Sequence, residues 1–245
     1  MSIVTEKSPI TALPEHDIFA STSIQTSVES TYDEEIRPIA QLNSGGHYEF
    51  LIHNSINECI KLHETTLFLR FRVKLTHKNG TTITQGDWNK VSLVNNFLHS
   101  LWSQIDLAIG ESQVTTSLQT YPYRAYLETI LTSSPTARKT YLTTELFEEE
   151  DMSVISNALN ATRQNLIKHK TTESVDTSIG AAVEIQGKLH LDLFQQYRSL
   201  IGGTKLRLKL VPNRPEFYFN TNDPNILPRI EFEEMYLNIY KTRIS

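Results

Sequence analysis

Apolar and polar residues alternate with a period of two along much of this chain. The longest run, Thr65 to Leu75, places Leu67, Leu69, Phe71, Val73 and Leu75 on one face and Phe68, Arg70, Arg72 and Lys74 on the other. A helix repeats about every 3.6 residues and would scatter these positions, so the run predicts a strand with one buried face. Tyr48, Phe50 and Ile52 alternate with His47, Glu49 and Leu51 behind the turn formers Asn43-Ser44-Gly45-Gly46. Ser100 to Ile109 predicts another strand, with Leu101, Ile105, Leu107 and Ile109 on one face. Two more follow over Val183–Leu191 and Lys205–Leu210, the second entered through Gly202-Gly203. The last runs from about Ile230 to Lys241, with Met235, Leu237 and Ile239 opposed to Tyr236, Asn238 and Tyr240. Lys78-Asn79-Gly80-Thr81 predicts a hairpin turn, since Asn and Gly both accept positive φ.

Helical periodicity is rarer. Tyr123, Tyr126, Leu127, Ile130 and Leu131 fall at i, i+3, i+4, i+7 and i+8 and predict an amphipathic helix that Pro122 can open. A weaker helix is predicted over 153–168 around Ile155, Leu159 and Leu166, followed by a polar loop over 169–180. Pro9, Pro14 and little periodicity predict a flexible N-terminal arm over 1–20, with 21–245 forming one domain. Many amphipathic strands, one or two short helices in inter-strand insertions and no internal repeat give an all-β antiparallel sandwich.

Composition narrows the function classes. At 245 residues, 39% hydrophobic and 21% charged, the chain can bury a sizeable core. With 28 acidic against 23 basic residues, its net charge of -5 gives no global reason to bind nucleic acid or anionic lipid. The run Glu148-Glu149-Glu150-Asp151 is expected in a solvated loop, and the basic face Arg70, Arg72, Lys74 is expected at the surface or against acidic groups. The single cysteine, Cys59, allows no intramolecular disulfide or thiolate cluster and is expected to act as a small buried hydrophobe. The first residues lack the basic start and apolar core of a signal peptide. No stretch of ~18 apolar residues predicts a membrane span, so a reducing cytosol or nucleus is expected.

Chemistry is sparse. The eight histidines, at 16, 47, 53, 63, 77, 99, 169 and 190, form no H-x-H or H-x-x-x-H pair, and only a sheet face could bring His53 to His63. No nucleophile elbow, phosphate loop or dinucleotide fingerprint occurs. Gly202-Gly203-Thr204-Lys205 matches half a phosphate loop, but a strand rather than a helix is predicted after it. Asp106 and Asp192 are lone carboxylates within apolar runs, and solvent or a subunit contact is expected for Asp106. No catalytic, cofactor-binding or metal residues are predicted, and the chain is not expected to be an enzyme.

The stretch Val94-Asn95-Asn96-Phe97-Leu98-His99-Ser100-Leu101-Trp102-Ser103-Gln104-Ile105-Asp106-Leu107, followed by Thr120-Tyr121-Pro122-Tyr123-Arg124-Ala125-Tyr126-Leu127-Glu128-Thr129-Ile130-Leu131, is more specific than any composition. It resembles the hexon-like major capsid protein of Polinton/Maverick elements and adintoviruses. Gln25–Glu29 with Arg37-Pro38-Ile39, Glu184–Phe194 and Lys205–Val211 resemble flanking parts of that family in the same order. The resemblance implies a jelly roll equivalent to the N-terminal half of a double jelly-roll protein, the chain ending where the first barrel would close. It also implies trimers or higher capsid assemblies by self-association, other capsid proteins as partners, a virion location, and host cytoplasm or nucleus before assembly. Tyr121, Tyr123, Arg124 and Tyr126 are the candidate interface residues, because clustered Tyr and Arg anchor interfaces. Capping of the domain's own core is the equal alternative for these tyrosines. A lectin-like ligand-binding jelly roll is the competing function, and would need exposed aromatics on a concave face. A cupin-type enzyme would need a histidine-rich metal triad.

Overall fold

A computed structural model describes residues 27–42, 45–116, 118–150, 159–170 and 176–245. The arm expected over 1–20, and Ile155, lie outside the described residues. The strands are β1 (Val28–Ile36), β2 (Tyr48–His53), β3 (Glu58–His77), β4 (Val91–Leu93), β5 (Trp102–Ile109), β6 (Ser112–Gln113), β7 (Ile179–Lys188), β8 (Lys205–Pro212), β9 (Phe219–Thr221) and β10 (Ile226–Ile244). One sheet runs β1-β10-β3-β7 and a second β2-β8-β5-β6, with β4 and β9 forming a separate pair. All of these pairings are antiparallel. With β4 and β9 set aside, eight strands pass back and forth between the two four-stranded sheets. That is the interleaved order of a jelly roll, the fold class expected from the sequence.

The alternating run at 65–75 sits at the centre of the first sheet. Leu67, Leu69, Phe71, Val73 and Leu75 are fully buried, facing Phe50 and Ile52 of β2 and Leu206, Leu208 and Leu210 of β8 across the sandwich. β3 extends further than its periodicity indicates because its inward parity changes once. Ile60 and Leu62 point inward, then Thr65 and Leu67, and the register with β10 shifts between Asn238 and Tyr240. Such a bulge keeps both halves of a 20-residue strand against a curved core. On the outer face, Arg70 pairs with Glu233 at 3.0 Å, and Lys74 with Glu231 at 3.4 Å. Arg72 also meets Glu233, so this basic row is matched by acids on its own sheet.

Four local expectations are corrected. The predicted strand start at Ser100 is instead a single helical turn, α1 (Phe97–Ser100). Asn96 enters it with φ 53°, and the Ser100 hydroxyl closes it onto the Asn95 and Asn96 carbonyls. β5 then begins at Trp102, so Leu101 precedes the strand, while Ile105, Leu107 and Ile109 of the expected face do turn to the core beyond a bulge before Gln104. The turn at 78–81 is present, with Gly80 at φ 69° bonding back to His77, but no hairpin follows. Both edges of β3 are already occupied by β10 and β7, so a returning strand has no partner. Cys59 points to the outer face and is half-buried, because its neighbours Glu58 and Ile60 take the inward positions.

Two helices stand where insertions were expected, α2 (Tyr121–Thr132) and α4 (Ala161–Ile167), accompanied by the short α3 (Pro135–Lys139) and α5 (Pro215–Tyr218). Asn160 caps α4 by accepting the Arg163 N–H at 3.0 Å, and the helix buries Ile167 rather than Leu166. Among the described residues no helix is long and apolar enough to cross a membrane.

This packing sets a contrast in stability. Phe71→Ala is expected to cost about 3–5 kcal/mol by urea unfolding, whereas Lys74→Ala on the opposite face of the same strand should cost less than about 1 kcal/mol. Equal costs would contradict the assignment of faces.

Candidate functional site

α2 lies in the long insertion between β6 and β7, opens with Pro122 in its first turn and ends as Ser133 becomes extended. Its seating reverses what amphipathicity suggests. Tyr121, Pro122, Ala125 and Thr129 face inward, while Tyr123, Leu127 and Leu131 are 60%, 58% and 80% exposed. Tyr126 and Ile130 lie half-buried along the border. The apolar stripe predicted at 123–131 therefore mostly faces outward.

Polar groups beneath the helix explain this orientation. The Glu145 side chain is buried over Gly187, where any Cβ would collide with its carboxylate. One carboxylate oxygen accepts the Lys188 main-chain N–H at 3.2 Å and the other meets His99 Nε2 at 3.2 Å. With a carboxylate as partner, Nε2 carries the proton, so His99 Nδ1 accepts the Tyr121 hydroxyl at 3.0 Å. The Tyr121 oxygen in turn accepts the His190 N–H at 3.3 Å. Burial pushes the Tyr121 phenol well above its ordinary range.

A second set of bonds ties the same helix sideways. His190 Nδ1 donates to Glu128 Oε2 at 2.9 Å, and the His190 ring meets that of His99 edge-on at 4.7 Å. Glu128 also accepts from Arg124 at 2.7 Å and Gln195 at 2.6 Å, and Arg124 continues to Asp192 at 3.3 Å. Burial acts to raise the Glu128 carboxyl, but the bonds from Arg124 and His190 outweigh it and hold the group below its ordinary value. Burial, and then the neighbouring His99, depress His190, with Glu128 working against them. The Arg124 bond holds Asp192 low.

A carboxylate, an imidazole and a phenol in series are components of proton relays. Here the series ends in the core, because Tyr121 is 5% exposed and its oxygen is occupied by a main-chain amide. Among the described residues, no group of three or more His, Cys, Asp or Glu is placed to hold a metal ion. The arrangement positions a helix: its Tyr121 end is enclosed, while His190 and Glu128 stay partly exposed. Beside it lies a cavity of about 320 Å³ whose lining includes Thr129, Tyr141, Thr144, Glu145, Gln186 and His190.

The four residues singled out in the sequence divide. Tyr121 caps this domain's own core and is not on the surface. Tyr123 is exposed, edge-on to Phe217 at 5.8 Å. Arg124 is committed to Glu128 and Asp192, and Tyr126 packs beside Phe147. His53 ends β2 in one sheet, while His63 on β3 in the other packs against Tyr197. The histidine pair that does form, His99 with His190, escapes spacing rules because α1 and the segment after β7 are distant in sequence. Its sequence signal is faint: His190 stands alone between Leu189 and Leu191, and His99 follows the apolar pair Phe97-Leu98. Asp106 lies on the outer face of β5 opposite Lys209 and accepts from Gln104 at 2.7 Å. Gly202 and Gly203 form a turn packed against the Ser55 and Ile56 carbonyls, with β8 following directly.

No family model matches the sequence. An uncharacterized protein of Caenorhabditis elegans is 25% identical over 178 residues, which is 70% of this chain and 39% of that protein. A chain in the cryo-EM structure of the Sputnik virophage matches with a TM-score of 0.59 at 10% identity, over 100% of this chain and 53% of its own. The Faustovirus major capsid protein matches with a TM-score of 0.50 at 6% identity, over 93% of this chain and 56% of its own. The mavirus major capsid protein gives 0.46 at 12% identity, over 99% and 52%. This chain thus spans well under half of the worm protein and about half of each viral chain. The likeness to the Sputnik and Faustovirus chains is one of fold, the jelly roll described above.

Gly187→Ala is expected to cost about 1–3 kcal/mol through overpacking against Glu145. Glu145→Ala should also destabilise, since it leaves His99 and the Lys188 amide without their acceptor. The double variant should lose about 1 kcal/mol or more less than the sum, because the truncated side chain makes room for the new methyl. Additive costs in urea unfolding would contradict the contact.

Proposed function

We propose that this chain is a capsid-type structural protein of a Polinton- or adintovirus-like element, one jelly roll of a virion shell, working by subunit packing without catalysis. The observation that carries this reading is the outward apolar row of α2 on a fold shared with viral capsid chains. Tyr123, Leu127 and Leu131 stand at i, i+4 and i+8, so one partner surface can cover all three. Burying each is worth about 1.5–3 kcal/mol, enough in sum to favour association.

The occupant of that row is a second copy of this chain, since a shell is tiled by repeats of its own subunits. Trimers or larger assemblies follow, with other capsid proteins as further partners, a virion location, and host cytoplasm or nucleus before assembly. The two segments that carry the family resemblance, 94–107 and 120–131, supply His99 and the whole α2 helix apart from Thr132. That overlap supports the family reading at the site itself. Enclosure of the Tyr121 hydroxyl supports a role without catalysis. The lectin-like alternative has one feature in its favour, the cavity beside α2, where exposed Tyr141 adjoins Thr144 and Gln186.

Sedimentation velocity and electron microscopy over rising concentration test both readings. Trimers or closed assemblies are expected, and Leu127→Glu with Leu131→Glu should leave a monomer that melts at an unchanged temperature. A wild-type monomer at high concentration, or saturable glycan binding that Tyr141→Ala abolishes, would overturn the capsid reading. Unchanged assembly of the charged variant would overturn the α2 face.

A further inference from the structure

We infer that His190 is a proton-sensitive latch: α2 is seated at neutral pH and loosened when the His190 ring takes up a second proton. The inference extends the proposed assembly face by giving it a control, and it rests on that reading only for what release would do to a shell.

The charged and titratable groups around the ring come from four elements. α1 supplies His99, and α2 supplies Tyr121, Arg124 and Glu128. The 3-10 turn Tyr141–Glu145 supplies Glu145, and the segment around His190 itself supplies Lys188 and Asp192. In the neutral ring Nδ1–H donates to Glu128, the one carboxylate within hydrogen-bond distance of it among the described residues. That carboxylate is already bonded to the Arg124 guanidinium at 2.7 Å, so a new cation on His190 shares a charge that is largely spoken for. Glu145 is turned toward His99 and the Lys188 amide. The added charge would also lie against the His99 ring at 4.7 Å.

The other ring nitrogen faces the Thr129 hydroxyl at 3.3 Å, whose own proton goes to the Ala125 carbonyl at 2.8 Å. A second ring proton would therefore find one long, neutral acceptor, a weak return for charging a half-buried ring. Burial and His99 hold His190 below its ordinary 6.5 in the seated state. When α2 lifts, the ring is solvated and regains its ordinary affinity, so the lifted state binds more protons. Lifting is then favoured as pH falls through 6.5, and seating is fully retained above it. Glu128 is held below its ordinary 4.5, so its protonation acts in the same direction only near the lower end.

Hydrogen exchange of the full chain, at a concentration where it is monomeric, reads the latch directly. Protection factors of the 121–132 amides are compared with those of 67–75 from pH 7.5 to 5.0, each corrected for intrinsic exchange. Protection of 121–132 should fall toward about tenfold per pH unit below 6.5 for one proton taken up, while 67–75 stays constant. His190→Gln should abolish the slope and keep α2 protected at pH 7.5. An α2 protection independent of pH in the wild-type chain, or an equal slope in His190→Gln, overturns the latch. Should that variant not fold, the imidazole of wild-type His190 is titrated by NMR; titration at or above 6.5 overturns the latch and titration below it supports it. Light scattering of concentrated samples reads assembly separately, so a working latch on a chain that never assembles would sink the capsid reading alone.

Discussion

Glu145 lies buried over Gly187 with its carboxylate held between His99 and the Lys188 amide, and the outward face of α2 depends on that placement. The carboxylate fixes which nitrogen of His99 carries the proton. His99 then takes the Tyr121 hydroxyl, and Tyr121 takes the His190 amide. Rotating α2 to bury Leu127 and Leu131 would gain about 1.5–3 kcal/mol for each. It would also pull the Tyr121 hydroxyl away from His99 Nδ1 and the His190 amide, leaving those groups without partners at about 1–3 kcal/mol each. The polar network therefore opposes the hydrophobic effect and leaves the apolar stripe outside.

The scaffold beneath meets this network at the end of β7, through Gly187 and Lys188. Its core is made by β3 and β10 facing β2, β8 and β5, with side chains that alternate in and out. Charges on the outer face of β3 are matched by Glu231 and Glu233 of β10. A sandwich closed in this way tolerates a long insertion between β6 and β7, and an insertion on a rigid frame is where a surface meant for a partner is naturally built.

What the sequence reveals follows from how local each cause is. Strand alternation is local, so the core positions of β3, β8 and β10 are legible from spacing alone. The helix at 121–132 is legible for the same reason, but its orientation is not. Amphipathicity tells which residues share a face, and only Glu145, His99 and His190, contributed by three separate segments, decide which face turns inward. The failed hairpin after Gly80 has a similar origin, since a turn motif cannot see that both edges of β3 are taken. Tyr121 and Tyr123 sit two residues apart and look alike in sequence, yet one caps the core and the other faces solvent.

Hydroxyl-radical footprinting of the wild-type chain, dilute and concentrated, tests the central claim most directly. In the dilute chain Tyr123, Leu127 and Leu131 should be modified readily while Tyr121 stays protected, and in the concentrated sample that outward row should become protected as assemblies form. Ready modification of Tyr121, or an outward row equally reactive in monomer and assembly, would contradict the account.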